Sequence, residues 1–180
     1  MREFTWQFTY AITRRPARSV VDGLRALDTG SPNYELMLSH HVDYVAALRE
    51  AGASVTELEP LEDFPDSVFV EDTALCLPEG AVLMKPGAPS RFGEVSEIEP
   101  VLNYFFRDVR SISGNGTIEA GDILVTPREV IVGRSTRTNR LGILELREIL
   151  KGWNYDFRDI SVPNGVLHFK SDCSLLDANT

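Results

Sequence analysis

The feature that most limits the fold of this 180-residue chain is a recurrence with a period near 47 residues. The segment FVEDTAL is followed by TIEAGDILV, with Glu71 and Glu119 separated by 48 residues, and then by VLHFKSDCSLL, where His168 lies 49 beyond Glu119. Arg91 in PGAPSR and Arg137 in GRSTRTN keep similar time, 46 apart. A period of this length denotes repeated supersecondary units that cannot bury their apolar faces alone. In a closed ring of such units, residues of equal phase face a common axis. Two carboxylates and a histidine from three repeats are therefore expected at one central site.

Periodicity predicts the units themselves. Alternating β-branched and aromatic residues predict strands over 5–13, 54–58 and 67–77, with 81–84, 109–112, 123–126, 130–133 and 155–160 following, and further short strands at 166–169 and 173–176. Helical spacing predicts a helix starting at Ser31 and Pro32 and stopped by Gly52, one over 94–106 despite Pro100, and one over 138–151. Pro78, Glu79 and Gly80 predict a hairpin, and the irregular stretch 19–32 a loop near the site. Each unit then reads strand, strand, helix, strand, an α/β propeller of ββαβ repeats with about three and a half repeats present. A single catalytic domain over 1–180, incomplete at its C-terminal end, is expected. If 67–77 is a strand, Val68, Val70 and Asp72 share one face and Phe69 and Glu71 the other, so at least one acid follows apolar neighbours inward.

Charge narrows the partners. The formal net charge is −9, and without a basic face the counterion release that drives nucleic-acid binding is missing. An acidic interior suits a cationic ligand. Cys76 and Cys173 show no zinc spacing, which fits a reduced, cytoplasmic protein, with Cys76 read as core and Cys173 as structural. There is no signal-like or 18-residue apolar run, so neither a leader nor a membrane span is expected. His40 and His41 are adjacent on a helix, point about 100° apart, and are read as packing or surface residues.

The ordered motifs PDSVFVEDTA, PGAPSR, GTIEAGD, STRTN and VLHFK, with ARSVVDGL near the start, resemble the dimethylarginine dimethylaminohydrolases, members of the pentein group of guanidine-modifying enzymes. The likeness runs through most of the chain and implies a five-unit α/β propeller. It implies hydrolysis of Nω,Nω-dimethylarginine, and of Nω-methylarginine, to citrulline and the methylamine through a covalent cysteine adduct. In that chemistry His168 protonates the leaving amine and later activates water, and Glu119 orients it. Asp66, Phe69, Glu71 and Asp72 contact the cationic substrate, Arg91 and Arg137 clamp its carboxylate, and Leu24 offers a backbone carbonyl to its α-amino group. Acids and arginines are expected at opposite ends of one cavity. No cofactor or metal is expected, the partner is a small methylated arginine, and a homodimer is allowed.

The family's nucleophilic cysteine lies near the C-terminus of a longer chain, and neither Cys76 nor Cys173 matches its motif. Residues 1–180 alone are thus expected not to release dimethylamine. Two further readings stay open on the residues, a deiminase acting on arginine or agmatine and an inactive guanidinium-binding protein. A metal site of Asp66, Asp72, Glu119 and His168 is compatible in ligand type only.

Overall fold

The computed structural model describes residues 5, 7–25, 27 and 29–177. The chain divides into two compact units, one running Phe8–Val70 and the other comprising the chain from Glu71 onward with N-terminal residues. The expected strand at 5–13 includes Trp6, and the expected loop at 19–32 includes Ala26 and Asp28; these three positions lie outside the described residues.

In the Phe8–Val70 unit, β1 (Tyr10–Arg14) and β2 (Ser54–Leu58) pair in parallel, Tyr10 against Ser54 through Arg14 against Leu58, and are joined through α1 (Tyr34–Glu50). β1 starts later than alternation predicts. The helix is capped by Asn33, whose side chain accepts the Leu36 N–H at 3.0 Å, rather than by Ser31. Asn is as good a cap as Ser and stands immediately before the first helical residue. Gly52, at φ 94°, makes the left-handed exit that an L side chain resists. His41 and Val45 are the buried residues of α1, whereas Tyr44 is exposed. The stretch 19–32 is not wholly irregular, since Arg18–Asp22 forms a 3-10 turn.

The second unit contains two complete ββαβ repeats. In the first, β3 (Ala74–Leu77) and β4 (Gly80–Leu83) form the expected hairpin, and α2 (Glu94–Phe105) leads to β5 (Val109–Ser111), which pairs parallel with β4. α2 runs on through Pro100. In the second, β6 (Ile123–Val125), β7 (Val130–Arg134), α3 (Arg140–Gly152) and β8 (Phe157–Ser161) repeat the plan with the same strand orientations. α3 begins at Asn139, which caps the Leu141 and Gly142 amides. Its Ile143, Leu146 and Leu150 join Val82, Ile118 and Val132 in one apolar core. Among the described residues no helix is long and apolar enough to cross a membrane.

One expected strand forms only in part and two do not form. Over 67–77 only Ala74–Leu77 pairs; before it the chain coils, with Phe64 and Asp66 carbonyls accepting the Ser67 and Phe69 amides at 3.0 Å and a 3-10 turn over Val70–Thr73. Local turn bonds have replaced the ladder, so the alternation assigned to Val68 through Asp72 does not exist. The predicted strands at 166–169 and 173–176 are likewise absent, and a 3-10 turn at Phe169–Ser171 stands there. Cys76 lies exposed on the outer face of β3, not in the core.

Candidate active site

The recurring feature behind the 47-residue rhythm is a 3-10 turn. Turns occur at Val70–Thr73, Ala120–Asp122 and Phe169–Ser171, the first two leading directly into the hairpin strand of a repeat. Glu119 and His168 each stand one residue before their turn with similar extended backbones, φ −116° and ψ 139° against φ −132° and ψ 151°. Equal sequence phase thus means equal backbone position. By this alignment the counterpart of Glu119 in the earlier repeat is Phe69, not Glu71, and the counterpart of Asp122 is Asp72.

His168 and Glu119 are in direct contact, Nε2 to Oε2 at 2.7 Å. Glu119 is fully buried and its other oxygen accepts the Gly87 N–H at 2.8 Å, with Arg137 Nη1 3.6 Å away. The Glu119 amide donates to buried Thr138 Oγ1 at 3.1 Å. Gly87 reaches the carboxylate because it has no side chain: a Cβ there would lie 2.7 Å from the Arg137 carbonyl oxygen. On the other side of the ring, His168 Nδ1 faces Asp72 Oδ1 across 3.8 Å, too far for a hydrogen bond. Both groups lie against Gly121, where a Cβ would come within 2.6 Å of Asp72 Oδ1 and 2.8 Å of His168 Nδ1.

Arg91 does not stand apart from the acids. Its guanidinium is 4% exposed, donates to Asp72 Oδ2 at 2.6 Å and forks onto Glu94 at 2.8–3.1 Å. The expected separation of arginines from acids is overturned here, because a buried guanidinium is stable only when its donors meet carboxylates. Arg137, by contrast, backs Glu119 and keeps a partly exposed side chain. Glu71 points outward and pairs with Lys170 at 2.6 Å. In the Phe8–Val70 unit, buried Asp66 accepts the Leu24 N–H at 2.9 Å, holding that loop, while the Leu24 and Phe69 side chains are exposed. The loop approaches so closely that a Cβ on Gly23 would lie 2.9 Å from the same Asp66 oxygen.

Electrostatics follow from these contacts. Burial alone would lower the His168 pKa, but the Glu119 hydrogen bond and the charges of Asp72, Asp122 and Glu119 outweigh it and raise the imidazole above its ordinary value. Burial pushes Glu119 up, yet the bonds from His168 and Gly87 and the charges of His168 and Arg137 prevail and hold it below the usual range. Asp72 goes the other way, since burial outweighs Arg91 and His168 and raises it. The Cys173 thiol donates to the Phe169 carbonyl at 3.3 Å, and burial with Asp172 pushes its pKa up, so it is not poised as a thiolate.

Asp72, Glu119 and His168 present ligand-type atoms within 4.8 Å of one another. Those atoms already engage Arg91, Gly87, Arg137 and each other, and the two guanidinium groups offset only part of the charge of buried Asp72, Glu94, Glu119 and Asp122. The arrangement suits holding a planar cation beside an imidazole that exchanges a proton. Sequence reasoning missed Gly87, Glu94, Gly121 and Asp122. The last two lie inside the GTIEAGD motif, where the spacing from Glu119 to the next strand was the available signal.

Known proteins bear on the same arrangement. The sequence pattern of the family described as arginine deiminase matches residues 60–162. The chain is 39% identical over 173 residues to the N(G),N(G)-dimethylarginine dimethylaminohydrolase of Pseudomonas aeruginosa, covering 96% of this chain and 68% of that protein. It is 33% identical to the Streptomyces coelicolor protein of the same name, over 94% of this chain and 66% of that one. The solved P. aeruginosa enzyme, a cysteine-to-serine mutant complexed with citrulline, superposes with a TM-score of 0.87 at 40% identity, covering 91% of this chain and 64% of that one. The chain thus spans about two-thirds of the length of these relatives. With two complete ββαβ repeats, a recurring turn that carries Glu119 and His168, and this identity across nearly all of its length, the chain belongs to the pentein family of guanidine-modifying enzymes and is similar in sequence and fold to dimethylarginine dimethylaminohydrolases.

Proposed function

We propose that this chain supplies the acid/base and guanidinium-binding groups of a hydrolase that converts Nω,Nω-dimethylarginine, and Nω-methylarginine, to citrulline and the methylamine. The observation that carries the reading is the His168–Glu119 contact at 2.7 Å, backed by Gly87 and Arg137, with Asp72 across the ring. A guanidinium nitrogen lying beside Nδ1 and Asp72 Oδ1, which stand 3.8 Å apart, would reach both. A thiolate adds to the guanidinium carbon, the C–N bond breaks, and the amine leaves with a proton from His168. Water, losing a proton to His168, then attacks the same carbon and the C–S bond breaks to return the thiolate. Glu119 keeps the imidazolium oriented and stabilised through both steps.

Neither Cys76, on an outer strand face, nor Cys173, bonded to a carbonyl, suits the nucleophile's role. The reading therefore takes the thiolate from a segment outside residues 5–177. On this reading Arg137 takes the substrate carboxylate. Arg91 acts by holding Asp72. The same reading makes the partner a small arginine derivative and allows a cytoplasmic homodimer. The match to arginine deiminases over 60–162 favours one alternative, deimination of unmethylated arginine.

The test is citrulline formation by the protein carrying the nucleophile, with dimethylarginine and arginine compared at equal concentration. Dimethylarginine turned over faster, and turnover lost in His168→Ala, is the expected result. Faster turnover of arginine would replace this reading by the deiminase, and binding without turnover by a guanidinium-binding protein.

A further inference from the structure

We propose that Asp122 is a positioning residue for His168, capping through its buried carboxylate the turn that begins one residue after the imidazole. Asp122 is fully buried. Its Oδ1 accepts the Phe169 N–H at 2.9 Å, and its Oδ2 accepts the Ser135 hydroxyl at 2.6 Å. Ser135 Oγ in turn accepts the amides of Arg137 and Thr138 at 3.0 and 3.2 Å. One carboxylate thus ties the His168 turn to the loop that carries Arg137 and the Thr138 hydroxyl under Glu119. Its position is itself dictated by the fold, because the Asp122 amide bonds back to the Glu119 carbonyl at 3.0 Å. Without the cap, the Phe169 amide loses its acceptor and the residue before it is free to swing off Glu119.

Asp122 does not touch the imidazole ring nitrogens, which face Glu119 and Asp72. The charged groups around His168 are Glu119 backed by Arg137, Asp72 backed by Arg91, Asp122, and Lys170 paired to Glu71. The role rests on the reading of His168 as the proton-transfer group, but its test does not need turnover.

The variants Asp122→Asn and Asp122→Ala separate position from charge. Asparagine can still accept from Phe169 with its oxygen, while its amide group takes the acceptor away from the Ser135 hydroxyl. Alanine can accept from neither. In the full chain, followed by NMR, Asp122→Ala is expected to speed exchange of the Phe169 amide about 10- to 100-fold relative to core amides such as Val132, the loss of a hydrogen bond to a charged acceptor. Asp122→Asn is expected to leave that exchange within about threefold of the parent while lowering the His168 titration midpoint. Equal acceleration of Phe169 and Val132 would reduce Asp122 to general stability and overturn the proposal. An unmoved His168 midpoint in both variants would overturn it as well. If these readouts respond as expected while dimethylarginine is not hydrolysed, the proposed reaction fails and the positioning of His168 stands.

Discussion

Each compact unit shields a histidine from solvent, His41 almost wholly and His168 in large part, and the pair shows what distinguishes a histidine that packs from one that is built to carry charge. His41, on α1 of the Phe8–Val70 unit, is 8% exposed and its Nδ1 has no hydrogen-bond partner. Burial lowers its pKa, and the raising effects of Glu57 and the Arg14 backbone do not compensate. His168 is also largely buried, yet its pKa moves up, because Glu119 touches one ring nitrogen and Asp72 faces the other. Desolvation acts on both side chains; only the second is surrounded by carboxylates that repay it. Burial alone therefore says nothing about function, whereas the sign of the shift reports the neighbours.

The largest expected effect removes the guanidinium that neutralises Asp72 and Glu94. Arg91→Ala should destabilise the unit from Glu71 onward by about 3–5 kcal/mol in chemical denaturation, since it strands Asp72 and Glu94 as unpaired buried charges. The same variant should raise His168 further, as Asp72 loses its competitor. A loss below about 1 kcal/mol would mean that solvent already screens the pair and that the contrast with His41 is weaker than drawn.

An intermediate effect is the pH dependence, which should have opposite signs in the two units. His168 has a folded-state pKa above the ordinary 6.5, so its contribution is complete below about pH 6.5 and is lost as pH rises through the raised value. His41 has a depressed one, so its contribution is present above about pH 6.5 and is lost as pH falls toward the lowered value. Glu119, held below 4.5, loses its contribution only at more acid pH, outside this window. Amide exchange followed segment by segment between about pH 5.5 and 8 should show Phe8–Val70 weakening on the acid side and the other unit on the alkaline side. Parallel profiles would break the comparison.

The smallest effect is at His41 itself. His41→Leu exchanges the Arg14 backbone contact for relief of an unpartnered ring nitrogen, and stability at pH 7 should change by less than about 1 kcal/mol. Its acid-side weakening should disappear.

Much of this architecture was legible in the chain. The 47-residue rhythm, the hairpin at Pro78 to Gly80, and the helices over 94–106 and 138–151 could be read because hydrophobic period and turn chemistry are local properties. Glu119 and His168 could be placed at one phase for the same reason, and they do meet at 2.7 Å. Other parts could not be read that way. VFVEDT has strand-forming composition, yet Phe64 and Asp66 carbonyls capture the nearby amides and the segment coils, which moves Asp72 from a strand face to a turn. Arg91 looked like a free clamp because its spacing from Arg137 says nothing of Asp72, which is 19 residues away and bonded at 2.6 Å.

Sequence by itself determined the repeat and the residue types brought to each turn. Only the tertiary structure decided which charges neutralise one another and which stay available. The reason is physical: period and propensity are set within a few neighbouring residues, whereas the state of a buried charge depends on burial and on partners such as Gly87, Glu94 and Asp122 that packing brings in from distant positions.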